Sequence, residues 1–196
     1  HLPDLGKDNF KKDLEDFQNE TTKLNLPKMK GFRAPTFSLV KESQWAYEVL
    51  EEFDFTYSSS VLPAKNPLFG WEGFGQAPKK LGNIWEVPMT LQNFGLLEIP
   101  IGGGVYFRLL PKIILKRFFK KAKKQQKDIL GYFHPYDIDI EQDRFMHPHI
   151  NESKFYNYLM YYGRASVFGK LEMVLSLGFS IVRYDEFVQQ KLEKNA

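Results

Sequence analysis

The amino-acid sequence predicts an α/β fold, a layer or a barrel built on a mostly parallel sheet. Helix-like and strand-like stretches alternate along the chain, the order that parallel sheets need for their crossovers. Hydrophobic residues make up 43% of the 196, enough for a buried core in a chain of one-domain size. Neither an internal repeat nor a clear linker divides it, so residues 1–196 read as a single domain.

The elements follow in order. NFKKDLEDFQNETTKL places Phe10, Leu14 and Phe17 at helical spacing among charges and predicts an amphipathic helix over 8–23. KGFRAPTFSLV is a short strand that ends near Phe32 or Arg33 and gives way to a loop at Pro35. ESQWAYEVLEEF is a second helix with Ser43 as its cap. DFTYSSSVLP is a strand passing into a loop at Pro63, and residues 63–83, rich in Pro, Gly, Trp and Phe, form a long loop of the kind that often binds ligands. IWEVPMTL is a short strand, EIPIGGGVYFRLLP a glycine turn followed by an aromatic segment, and residues 112–127 a basic helix. ILGYFH is a strand, 137–153 a polar loop, 166–177 a helix ended by Gly178, FSIVRY the last strand, and a short helix follows from Asp185.

Composition narrows the chemistry. Without cysteine there is no disulfide framework and no thiolate ligand or nucleophile. No run approaches the roughly 18 apolar residues of a membrane span, and no signal peptide is visible, although the chain starts at His1. Eight of its 27 basic residues lie between Lys112 and Lys127, where there is no acid, so the net charge of +3 belongs to one segment. That face can be solvated, meet an anionic membrane surface or meet an acidic polymer; no nucleic-acid recognition motif accompanies it. Gly102 to Gly104 lack the Lys-Ser/Thr of a phosphate-binding loop and read as a tight turn that lets the backbone approach a glycan, or as a simple bend.

DILGYFHPYDID raises the sharpest functional question. Its apolar run ends in His134, and Pro135, which has no N–H, stops the strand there. A polar residue at a strand's carboxyl end points to where α/β folds bind ligands. His134 is either a catalytic histidine or a hydrogen-bonded residue at a rim. Asp137 and Asp139 either line the mouth beside it or are solvated loop acids, and His147 and His149 in MHPH are either a chelating pair or an exposed loop.

GFRAPTFSL, GGGVYFRLLP and FHPYDID, in that order and with YSSS between the first two, resemble the motifs of NodB-type polysaccharide deacetylases, closest in the exopolysaccharide and cell-envelope branch. The similarity covers residues 1–185. It implies a distorted (β/α) barrel, of which this chain is the central and C-terminal portion. It further implies metal-dependent removal of N-acetyl groups from an amino-sugar polysaccharide of a bacterial cell envelope or capsule. A divalent metal, zinc favoured, makes hydroxide available near neutral pH and polarises the acetyl carbonyl. Backbone N–H groups hold the oxyanion, and an acid protonates the departing amine, a task suited to imidazole. By position, His134 matches that acid. Arg33 matches the arginine that steadies the catalytic carboxylate, and Thr36 matches the oxyanion N–H donor. Many relatives carry an aromatic at that last position; here the aromatic, Phe37, comes one residue later. Phe37, Trp71, Tyr106 and Phe107, with Asp137, are the expected sugar-contacting residues, although some of the aromatics, like Trp85, suit a core equally.

The chain departs from the family at its front. The Asp pair and the His-x-x-x-His motif of the metal site are not in the sequence, and His1 stands where the last histidine is expected. The expectation is therefore that His1 is the final metal ligand of a site whose other ligands lie upstream. The alternative is a catalytically inactive glycan-binding or scaffold protein that keeps the fold. Ser58 stands where relatives carry Asp, as an altered functional position or as a plain strand end.

Overall fold

The computed structural model of the chain describes residues 1–66, 68–95, 97–147 and 152–194. They form two compact units, His1–Met89 with Val182–Ala196, and Thr90–Ile181. Each has its own apolar core.

The first unit opens with α1 (Leu2–Leu5) and the long α2 (Lys7–Lys23), whose Phe10 and Leu14 are buried as the helical spacing predicts. β1 (Gly31–Phe32) follows, then a 3-10 turn over Pro35–Phe37 and α3 (Ala46–Glu52). Ser43 does not cap α3. It sits in a separate 3-10 turn, Lys41–Ser43, where its hydroxyl accepts the Val40 N–H at 3.0 Å. β2 (Tyr57–Ser58), β3 (Lys79–Leu81) and β4 (Ile84–Glu86) complete the sheet. Its order is β1-β2-β4-β3, with β1, β2 and β4 parallel and β3 antiparallel at the edge. The helices close over Val49, Leu50, Val61 and Ile84, which are fully buried.

The second unit begins with an antiparallel hairpin, β5 (Leu91–Phe94) and β6 (Leu97–Pro100). α4 (Gly104–Leu109), α5 (Lys112–Lys124), α6 (Lys154–Tyr161) and α7 (Val167–Ser176) follow. Ile101, Phe107, Leu115 and Val167 form the centre of its core. The chain then closes with α8 (Tyr184–Phe187), which continues into a π-helical turn and belongs to the first unit. Among the described residues no helix is long and apolar enough to cross a membrane.

The expected (β/α) barrel, TIM-like or distorted, is not formed. Among the described residues the strands make one four-stranded and one two-stranded sheet, and neither closes. Two expected strands explain the difference. Over ILGYFH the backbone is spent elsewhere than in a ladder: the Leu130 N–H donates to Thr90 Oγ1 at 2.9 Å, and the Tyr132 carbonyl accepts the Gly104 N–H at 2.9 Å. FSIVRY forms no strand either, and Ile181 and Val182 remain 60% and 46% exposed. α6 was not expected from periodicity; no residue of it is buried, and Ser153 starts it by accepting the Tyr156 N–H.

The pivot of the first unit is Glu86, fully buried at the end of β4. One carboxylate oxygen accepts the N–H groups of Ser60 and Val61 at 2.8 and 3.0 Å, and the other accepts the Tyr47 hydroxyl at 3.1 Å. It thereby joins β4, the YSSS segment and α3. Burial raises the Glu86 pKa above its ordinary value near 4.5, against the opposing pull of its hydrogen-bond donors. The folded protein thus holds this proton more tightly than the unfolded chain. The associated stability is present at acid pH and is lost as pH rises above about 4.5 and through the folded-state value. Glu86→Gln keeps an acceptor for both N–H groups and cannot ionise. Its stability relative to wild type is expected to increase from pH 5 to pH 8, as read by urea denaturation. Glu86→Leu strands two buried N–H groups, at roughly 1–3 kcal/mol each. A pH-independent gap between Glu86→Gln and wild type contradicts the assignment.

Candidate functional site

His134 is presented by the second unit on a turn that the sequence makes almost unavoidable. Pro135 starts a 3-10 turn, Pro135–Asp137, and brings Asp137 back under the histidine. The Asp137 carboxylate accepts the His134 backbone N–H at 2.9 Å and lies 3.2 Å from the ring Nδ1. A carboxylate only accepts, so Nδ1 carries the hydrogen and Nε2 is the nitrogen left to exchange a proton. The imidazole side chain is 46% exposed, and Asp137 beneath it is fully buried. Tyr136 stacks on the imidazole at 4.6 Å and Tyr132 meets it edge-on at 5.1 Å. Burial and the charge of Asp137 raise the Tyr136 phenol, so the stacked ring stays neutral.

What holds Asp137 is Arg108 of α4. Its Nε donates to the carboxylate at 2.8 Å, and both side chains are inaccessible to solvent. Its Nη1 donates to the carbonyls of Leu159, Met160 and Tyr162, closing the C-terminal end of α6. Lys170 of α7, itself buried, donates to the carbonyls of Phe107 and Arg108 and closes α4 in the same way. The glycine run supplies the remaining constraint. A Cβ on Gly103 would lie 1.7 Å from the Tyr132 carbonyl oxygen, so only glycine lets the start of α4 press against the run that ends in His134.

In the first unit the GFRAPTF loop is organised by the serines of YSSS. Ser59 Oγ accepts from Arg33 Nη2 at 2.9 Å, Ser60 Oγ accepts the Ala34 N–H at 2.9 Å, and Ser58 is buried with its hydroxyl on Ser60. Ser58 is thus part of the packing that carries the loop. The Arg33 guanidinium lies over Phe37 at 5.6 Å and over Tyr184 at 4.9 Å. Thr36 and Phe37 both have left-handed backbone, with φ of 53° and 56°, a conformation costly for residues with a Cβ. The Phe37 N–H is used by the Ala34 carbonyl at 3.2 Å. The exposed Thr36 offers an N–H with no hydrogen bond among the described residues. His1 and Arg33 line one groove of about 590 Å³ with Phe32 and Pro35. His1 rests 4.8 Å from Phe69, and its Nδ1 is 3.5 Å from Asp4.

Other expected site residues fall elsewhere. Phe107 is fully buried, edge-on to Phe119 and Phe133, and has no face to offer a sugar. Asp137 does not line a mouth; it lies beneath the histidine. Tyr106 is exposed on α4, and Trp71 packs on Phe74 beside a separate groove with Tyr47 and Lys79. Burial and Arg164 lower the pKa of His147, and its neighbour His149 lies outside the described residues. Among the described residues no group of three or more His, Asp or Glu side chains is arranged to hold a metal ion. The apolar side of α5, Leu115, Phe119 and Ala122, is taken up by the unit's own core, and its lysines face outward.

Arg108 and Lys170 carry the arrangement yet escape a reading by motif roles. The available signal is a lone cation inside an apolar run, in VYFRLL and VFGKLEMV. Such a residue must be paired when the run is buried. Asp137→Ala, which leaves Arg108 buried without its partner, is expected to destabilise the protein by roughly 3–5 kcal/mol in urea denaturation. His134→Ala, at the exposed end of the same chain of contacts, should change stability by no more than about 1 kcal/mol. Similar losses in the two variants would contradict this division.

Residues 59–189, about two thirds of the chain, match a domain family described as a domain of unknown function, DUF3473. The matched region contains Arg108, His134 and Asp137, and Arg33 precedes it. No curated protein and no solved structure shows significant similarity to the chain.

Proposed function

The chain belongs to the DUF3473 family, and from that premise we propose that it is part of a hydrolase that removes N-acetyl groups from an amino-sugar polysaccharide of the cell envelope or capsule. The observation that carries this reading is the Arg108–Asp137–His134 arrangement. An exposed imidazole with Nδ1 anchored on a buried, ion-paired carboxylate is held in one tautomer and one orientation. Nε2 is then the group that protonates the amine as the amide C–N bond breaks. Asp137 and Arg108 act through His134 and are positioning residues.

The first unit, taken by itself, carries groups suited to acyl chemistry. The free N–H of the strained Thr36 is a donor of the type that stabilises an acyl oxyanion. Arg33, held by Ser59 and two aromatic rings, has the fork geometry that fixes a carboxylate. A divalent metal, where one is bound, supplies an activated water and polarises the carbonyl. His1 is this chain's candidate ligand; with Asp4 it makes two donors, short of the three protein ligands that such a catalytic site uses.

The test is acetate release by the native protein from an N-acetylated amino-sugar polymer. His134→Ala is expected to lower kcat by roughly 10²–10⁴-fold while the protein remains folded by circular dichroism. Acetate release unchanged in that variant removes His134 from the chemistry. Polymer binding by wild type with no acetate release moves the assignment to a glycan-binding scaffold.

A further inference from the structure

The second unit contains a cationic cleft that shares only Arg108 with the hydrolytic reading. About 700 Å³ in volume, it is lined by Arg108, Lys112, Arg144, Arg164 and Lys170, with the exposed Asp139 as its one acidic residue, among others. Arg108, Arg164 and Lys170 are each more than nine-tenths buried, and the only buried carboxylate among the described residues of this unit is Asp137. Asp137 is already committed to Arg108 Nε and to His134. The floor of the cleft therefore carries more positive charge than its own side chains neutralise.

Two donors confirm the shortfall at the level of atoms. Arg108 Nη2 and Arg164 Nη2 are buried and make no hydrogen bond among the described residues. The rest of each guanidinium is well used: Arg164 Nε donates to the Met160 carbonyl, and its Nη1 to the Asp139 carbonyl and Gln142 Oε1. Rotating either side chain to satisfy Nη2 would break those bonds. A buried N–H of a charged group without an acceptor is costly, and proteins seldom keep two in one unit for packing alone. At the rim, Arg144 and Arg164 both lie over the Tyr161 ring, at 5.6 and 4.3 Å, which brings a further exposed cation to the same opening. Gly163, at φ 79°, forms the tight corner that lets this segment approach Arg108; a Cβ there would stand 2.6 Å from the Arg108 carbonyl oxygen. Burial and the charge of Arg108 also lower the pKa values of Arg164 and Lys170, and for Arg164 they outweigh the opposing pull of Tyr161, Asp139 and Asp137.

We propose that this cleft binds an oxyanion, the carboxylate or the phosphate of a small ligand, through Arg164 and Arg144 over the floor formed by Arg108 and Lys170. The volume falls in the range of pockets that take sugar-sized ligands, so the anion is a substituent on a larger group. The inference stands independently of the amide-hydrolysis reading.

The experiment is isothermal titration calorimetry on the full chain at constant ionic strength in chloride, with inorganic phosphate, glucuronate and, as the neutral control, glucose. Saturable binding of phosphate or glucuronate without binding of glucose is the expected result. Phosphate alone identifies a phosphate ester as the source, and glucuronate alone an acidic sugar. Arg144→Gln, at an exposed position, and Arg164→Lys, which keeps the charge and loses Nη2, are each expected to weaken binding about tenfold. Should Arg164→Lys not fold, Arg144→Gln carries the test. Absence of saturable binding by both anions, wild-type affinity in the folded variants, or equal binding of glucose would overturn the proposal.

Discussion

The buried ion pair between Arg108 and Asp137 is the constraint on which the second unit depends. Two charges removed from water are tolerated only when each is also hydrogen-bonded, and here both are. Asp137 takes one N–H from the backbone of His134 in addition to the guanidinium, and Arg108 spends Nη1 on three carbonyls at the end of α6. One side chain thereby ties together α4, α6 and the HPYD turn. The exposed histidine inherits its position from groups that solvent does not reach, which is what a proton carrier of fixed orientation requires.

The first unit follows the same logic with a different charge. Among the described residues Glu86 has no cationic partner; two backbone N–H groups, a tyrosine hydroxyl and the Ser58 hydroxyl satisfy it. Those N–H groups belong to the serine segment, and the side chains of that segment hold the Arg33 loop. The strained backbone at Thr36 and Phe37 is maintained by this anchored loop. In both units a buried carboxylate sets a loop, and that loop presents the polar groups with chemical capacity.

The buried charge of the second unit is unbalanced as well as fixed. Helix ends explain part of it, because Arg108 and Lys170 satisfy carbonyls at the termini of α6 and α4. They do not explain the two unused guanidinium donors. Capping alone does not account for these donors, and an anion in the adjoining cleft would give the surplus charge a use.

Local chemistry made much of this legible in the residues themselves. The spacing of Phe10 and Leu14 specifies α2, Pro135 ends the run at His134, the glycines mark a close backbone approach, and the apolar side of residues 112–127 specifies α5. Each rests on period, proline geometry or the missing Cβ, properties of a few neighbouring residues. The barrel could not be decided that way. An apolar run such as ILGYFH has the composition of a strand, but whether its N–H and C=O groups meet another strand, a threonine hydroxyl or a glycine turn depends on what folds beside it. The burial of Phe107, the descent of Asp137 beneath His134 and its pairing with Arg108, 29 residues away in sequence, belong to that same class. Sequence alone determined which residues can carry charge and where the chain must turn; only the tertiary structure decided which of those charges meet, because burial and pairing are set by distant segments.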